Sequence, residues 1–257
     1  VSLVNLKSKI NNLKSRITNY QSPITTNEAY DLWASSYPPH AHNPLMRAEQ
    51  AALLRLLPDV RGLRALDLAC GTGRYTNILW ERGAAAVVAL DFSAEMLAQL
   101  AKSPIPNPKF QSAFANRHSQ FAVRASMMQL PLTDDSFDVI VSGLAIGHAD
   151  DLHVWMRECA RVLRRGGMLV YSDFHPRAAQ VGMTRSFRAN DGRAITVPHN
   201  IFTLEAQRNA ACNAGLTIEA LSEVRAGIEL TEAFAGSMEF YRKWQGTPLV
   251  LVAQCRK

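Results

Sequence analysis

The sequence predicts an α/β protein: a doubly wound, mostly parallel seven-stranded sheet with an antiparallel edge strand and an N-terminal helical cap. Three observations carry this. From Arg64 onward, short apolar runs alternate with amphipathic stretches of helical period. The first run, Leu66-Asp67-Leu68-Ala69, breaks into the glycine turn Cys70-Gly71-Thr72-Gly73. The second run ends on Asp91, eighteen residues beyond Gly73. Strand, glycine turn, helix, strand and terminal carboxylate together make an arrangement that holds a nucleoside-bearing cofactor.

Taken in order, the elements begin with residues 1–20. There Leu3, Leu6, Ile10, Leu13 and Ile17 recur at spacings of three and four, one face of a helix. Such a face packs on its own domain or on a second copy of the chain, giving a homodimer, or it lies on a membrane or phosphate surface. Pro23 ends the segment, and residues 26–57 read as helix in pieces, broken by Pro38-Pro39 and Pro44 and closed by Pro58. Residues 1–57 are therefore expected to form a helical segment and cap. Strands are expected over residues 65–69, 86–90, 121–124, 137–142, 168–172, 217–224 and 248–254. Helices are expected over residues 75–82, 94–102, 152–163 and 204–214. Helical crossovers make neighbouring strands parallel. No helical pattern of comparable strength separates the last two strands, so these are expected to pair antiparallel at the sheet edge. Residues 103–120 are polar and aperiodic and read as a surface loop.

Composition narrows the function. A chain of 257 residues with 47% hydrophobic content suits one large α/β domain, or one with a small appendage. No apolar run reaches the roughly 18 residues of a membrane span, and the N-terminus lacks a signal-peptide core. Cys70, Cys159, Cys212 and Cys255 are scattered without a CxxC pair, which indicates neither a zinc site nor a disulfide framework and leans toward the cytoplasm. The formal charge is +6, but residues 1–27 hold four basic residues and no acid. The remainder has 24 basic against 22 acidic residues, or +2, and so near-neutral a body argues against nucleic acid as partner.

Two cofactor classes share the glycine-turn geometry. A dinucleotide fingerprint wants a third glycine at the position held by Thr76. Asp67, where the first strand enters the turn, can organise the loop and receive an ammonium group, which an amino-acid moiety has and a pyrophosphate lacks. These residues favour S-adenosylmethionine over NAD.

Residues 66–73 resemble the first motif of the class I S-adenosylmethionine-dependent methyltransferases, and Asp91-Phe92-Ser93-Ala94-Glu95-Met96-Leu97 resembles the second. Residues 129–138 are similar to the run that precedes the family's fourth strand, and Val162-Leu163-Arg164-Arg165-Gly166-Gly167 to the turn before its fifth, with Arg165 in place of proline. The resemblance is nearest to the ubiquinone/menaquinone C-methyltransferases and malonyl-carrier-protein O-methyltransferases. It implies a Rossmann-like methyltransferase domain over residues 58–257. It implies that Asp67, Gly71 and Gly73 face the methionine part of the cofactor, Asp91 the ribose and Phe92 the adenine. Ser126 stands where the family often has an acid for the adenine amino group, with Met127 beside it. Tyr30, Trp33 and Tyr37 resemble an aromatic cap over the cofactor, with ordinary helix packing as the alternative. Ala69, Met96 and Ser142 complete the expected cofactor-binding set; no metal ligands are expected.

Methyl transfer needs the acceptor atom held in line with the methyl group, and a base where the acceptor must lose a proton. His148 and His175 follow the fourth and fifth strands and are the candidate catalytic residues, a structural role being the alternative for each. Residues 174–203 alternate apolar and polar around the turn signal Asp191-Gly192, which predicts a hairpin lid over the acceptor pocket. There Arg185, Arg188 and Arg193 either bind an anionic acceptor or solvate the hairpin. The expected function is S-adenosylmethionine-dependent methylation of a small-molecule acceptor at O, N or C. The alternatives are an RNA or tRNA methyltransferase, a non-catalytic cofactor-binding scaffold and an NAD oxidoreductase.

Overall fold

The computed structural model describes residues 24–102, 122–189, 192–228, 230 and 238–257. The helix expected over residues 1–20 and the loop expected over residues 103–120 lie outside them.

Two helices lead in, α1 (Thr26–Ala34) and α2 (Pro44–Leu56). Then come β1 (Arg64–Leu68), α3 (Arg74–Glu81), β2 (Ala86–Asp91), α4 (Ala94–Leu100), β3 (Ala122–Arg124), β4 (Phe137–Gly143), α5 (Leu152–Val162) and β5 (Leu163–Phe174). The chain continues through α6 (Pro176–Gln180), β6 (Ser186–Arg188), β7 (Ala194–Thr196), α7 (Leu204–Asn213), β8 (Thr217–Arg225), α8 (Met238–Trp244) and β9 (Pro248–Arg256). Seven strands form one sheet in the order β3-β2-β1-β4-β5-β9-β8, and β6 and β7 form a separate antiparallel hairpin. Strands β1 to β5 run parallel, whereas β9 is antiparallel to both β5 and β8. The expected α/β class and antiparallel pair at the sheet edge are both present. The reversed strand β9 lies one position in from the edge, with β8 outside it.

The local reasons are visible at the element ends. Helix α1 starts in a capping box: Glu28 donates its backbone N–H to Thr25 Oγ1 at 3.2 Å, and Thr25 N–H donates to Glu28 Oε2 at 2.9 Å. Helix α2 starts on Asn43, whose side chain accepts from Met46 N–H at 2.9 Å, with Pro44 at the first helical position. The central strands are buried on both faces, so each carries a continuous apolar run, Val139-Ile140-Val141 in β4 and Leu169-Val170-Tyr171 in β5. In β4, Val139 and Val141 join the core under α2 and α3, while Ile140 joins the opposite core with Trp155 and Met156 of α5. Each such side chain contributes about 1.5–3 kcal/mol on full burial. Strand β5 begins five residues earlier than expected, where Leu163 pairs with Phe137 of β4, and Lys257 extends the pairing on its other side. Gly166 N–H donates to Lys257 O at 2.9 Å, and Lys257 N–H to Gly167 O at 3.0 Å.

The order β2-β1-β4 places the switch point between β1 and β4. A crevice opens there beyond the carboxyl ends of the strands.

Candidate functional site

The turn after β1 has backbone that side chains resist. Ala69, Gly71 and Gly73 have φ of 59°, 55° and 94°. At Gly73 a Cβ would also come within 2.2 Å of Leu100 Cδ1, so this glycine lets α4 pack against the start of α3. Asp91, at the end of β2, closes the turn. Its Oδ2 accepts from Gly71 N–H at 2.8 Å, and its Oδ1 accepts from Ser93 N–H at 2.9 Å. Each oxygen keeps a lone pair for a ligand. Asp67 Oδ2 accepts from Thr76 Oγ1 at 2.6 Å. Thr76 thus fills the place of a third glycine by orienting the neighbouring carboxylate.

A cavity of about 740 Å³, counting its open mouth, lies against this turn. Of the expected residues, Tyr30, Tyr37, Asp67, Ala69, Gly71, Asp91, Phe92, Met96, Met127 and His148 all line it. Four lie elsewhere. Gly73 is held between helices, as above. Ser126 is exposed, and its Oγ accepts from Met128 N–H at 3.1 Å, capping its own turn. Ser142 is buried in β4 outside the lining. His175 caps α6 by accepting from Arg177 N–H at 3.1 Å through Nδ1, and its Nε2 lies 3.3 Å from Glu223. The geometry therefore separates His175 from the cavity that His148 lines.

Burial dominates the electrostatics. Asp67 and Asp91 are 1% and 5% exposed, and loss of solvent pushes each carboxyl up to about 6. Neither has an ion-pair partner among the described residues. A cationic ligand would restore their charge. S-adenosylmethionine, with a sulfonium and an ammonium group, fits that requirement, and a pyrophosphate does not.

His148 Nδ1 lies 3.2 Å from the Pro198 carbonyl, which can only accept, so Nδ1 carries the proton. Nε2 then accepts from the Tyr30 hydroxyl at 2.8 Å. Burial, reinforced by the Arg185 and His199 charges, pushes the His148 imidazolium down to about 2. Burial pushes the Tyr30 phenol up to about 12. At neutral pH His148 is uncharged, weakly basic and occupied by Tyr30.

Helix α1 and the β6–β7 hairpin meet over the site. Trp33 stacks on Phe187 with ring centroids 4.5 Å apart and planes 5° from parallel. Ser93 Oγ ties α1 to α4 by donating to Asp31 Oδ1 at 2.6 Å. Arg185 donates to the Tyr30 hydroxyl at 3.1 Å and to Asp173 Oδ1 at 3.1 Å. The sequence left Arg185 open between surface solvation and anion binding; the fold buries it. Arg74 also lines the cavity and was not singled out; it pairs with Glu49 at 2.6 Å, both buried. The available signal was Glu49 itself, a charge on the face of α2 that carries Met46, Ala52 and Leu53. Among the described residues, no group of three or more His, Cys, Asp or Glu could hold a metal ion. None of their helices is long and apolar enough to cross a membrane.

Residues 66–171 match the protein family described as "Methyltransferase domain". The malonyl-[acyl-carrier protein] O-methyltransferase of Enterobacter lignolyticus is 34% identical over 131 residues, covering 51% of this chain and 47% of that protein. The demethylmenaquinone methyltransferase of Lactococcus lactis is 33% identical over 123 residues, covering 47% and 46%. The chain thus spans about half the length of the curated relatives it matches. An S-adenosylmethionine-dependent methyltransferase from Mesorhizobium loti superposes with a TM-score of 0.62 at 28% identity, covering 82% of this chain and 98% of that one. Geranyl diphosphate C-methyltransferase from Streptomyces coelicolor, solved with S-adenosyl-L-homocysteine, has a TM-score of 0.58 at 14% identity over 82% and 78%, a likeness of fold.

Proposed function

We propose that this chain, whose residues 66–171 match a methyltransferase domain, transfers a methyl group from S-adenosylmethionine to a small-molecule acceptor. The observation that carries the reading is the pair of buried carboxylates without a direct ion-pair partner among the described residues, Asp67 and Asp91, beside a glycine turn at the switch point. The cofactor supplies a methyl group on a positively charged sulfur, open to in-line displacement. Asp91 would accept from the ribose hydroxyls, Asp67 would balance the positive charge of the methionine part, and Phe92 and Met96 would cover the base. Tyr30 and Tyr37 close the cavity from the α1 side and keep water from it, which strengthens every charge interaction inside. His148 holds the Tyr30 hydroxyl in place as a neutral acceptor and is not poised as a general base. The cytoplasm is the compartment that suits this reading.

Two tests follow. Free and carrier-linked carboxylates, together with demethylmenaquinol, serve as acceptors in an assay for S-adenosylhomocysteine. At least one is expected to yield it in equal amount with methylated product; tight cofactor binding without turnover on any acceptor would favour a scaffold. Affinity for S-adenosylmethionine should also depend on pH. Below about pH 6 the free protein protonates Asp67 and Asp91, so a cationic ligand must displace protons. Affinity is expected to fall as pH drops through that value, by up to about tenfold per unit for each group, and to level off above about pH 7. Calorimetry near pH 6 in two buffers of different ionisation enthalpy should show proton release; a flat profile between about pH 5 and 8 contradicts the charge assignment.

A further inference from the structure

A second cavity of about 1350 Å³, open mouth included, lies beside the first. The two share Tyr37, Leu144 and Arg185 as a common wall. Their linings differ. The first carries Asp67 and Asp91 together with Arg74 and Arg185; the second is lined by no Asp or Glu, but by Arg185, Arg188 and His42 with apolar side chains around them. Arg185 is the unusual member. Its side chain is 9% exposed, and its guanidinium packs over the Phe174 ring with 4.7 Å to the centroid. Two of its donors reach Tyr30 and Asp173, while Nε is buried with no hydrogen-bond partner among the described residues. A buried guanidinium N–H without an acceptor is costly, and an anionic ligand oxygen at this wall would satisfy it. Asp173 takes only one of the Arg185 donors, and its carboxylate also accepts from the Phe174 and Gly147 N–H groups.

We infer that the second cavity is the acceptor site, and that it selects an organic acid with an apolar body and an anionic oxygen held by Arg185. This rests on the methyltransferase reading, which assigns the first cavity to the donor. The apolar body lies against the face built by Trp33, Phe187 and Phe174, and the anion sits at the shared wall, next to the donor cavity. Arg188, exposed at the same cavity, adds a second positive charge that attracts the anion.

The test uses the full chain saturated with S-adenosylhomocysteine and two probes of one shape, 3-phenylpropionate and its uncharged amide, 3-phenylpropionamide. The acid is expected to bind about tenfold or more tighter than the amide, and Arg185→Met should reduce that preference to under about threefold. Equal binding of acid and amide, no binding of either, or a preference that survives Arg185→Met overturns the inference. If Arg185→Met does not fold, the wild-type acid-to-amide ratio decides alone. If the wild type fails to bind S-adenosylhomocysteine, the donor assignment falls instead, and the same probe ratio on the cofactor-free protein still decides this one.

Discussion

Asp91→Ala is expected to weaken S-adenosylhomocysteine binding by about 100-fold, the loss of two charge-assisted hydrogen bonds or about 3 kcal/mol. Asp91 serves both the ligand and the turn. Its two oxygens hold the N–H groups of Gly71 and Ser93 while facing the cavity. Asp91→Asn separates the two roles: it keeps one acceptor oxygen and the side-chain shape but not the charge. Its loss should be about tenfold. Titration calorimetry on the three proteins checks the order. Affinity unchanged in Asp91→Ala would remove Asp91 from the ribose position.

Glu49→Ala is expected to lower stability by about 3–5 kcal/mol, the cost of leaving a buried charge without its partner. Glu49 has no exposed surface. It accepts from Arg74 at 2.6 Å, from the Tyr75 hydroxyl at 2.8 Å and from the Ser172 hydroxyl. It thereby joins α2 to the first turn of α3 and to β5. Its removal strands the Arg74 guanidinium at 7% exposure. For a chain of this size the melting temperature should fall by about 10 °C. Removing both charges in Glu49→Leu with Arg74→Met should recover most of that loss, because replacing a buried pair by apolar groups is often close to neutral. A shift of less than about 2 °C in Glu49→Ala would show that Arg74 finds another partner or water.

The parallel strands were legible because a strand covered on both faces carries a near-continuous apolar run, as Val139-Ile140-Val141 shows. Asp67, Gly71 and Asp91 were legible because the switch-point geometry demands a turn and a carboxylate at fixed places along the chain. Other features depend on what lies across the fold. Arg185 was weighed as a surface charge in a hairpin; its burial comes from Tyr30, 155 residues away, and from Asp173. His175 stands after a strand as a catalytic histidine could, but the following Pro176 marks it as a helix cap, a signal present in the sequence. Ser126 matches an adenine-binding position only through the family resemblance, and its hydroxyl turns to its own backbone. The place of β9 inside β8 is set by pairing with β5, which chain order does not encode.

The central claim is that two cavities meet at the wall formed by Tyr37, Leu144 and Arg185, one with carboxylates for the methyl donor and one without them for the acceptor. A crystal structure of the chain with S-adenosylhomocysteine tests it most directly. The account predicts both ribose hydroxyls on Asp91 and the sulfur facing that shared wall. A ribose placed away from Asp91, or a sulfur directed away from Arg185, would contradict it.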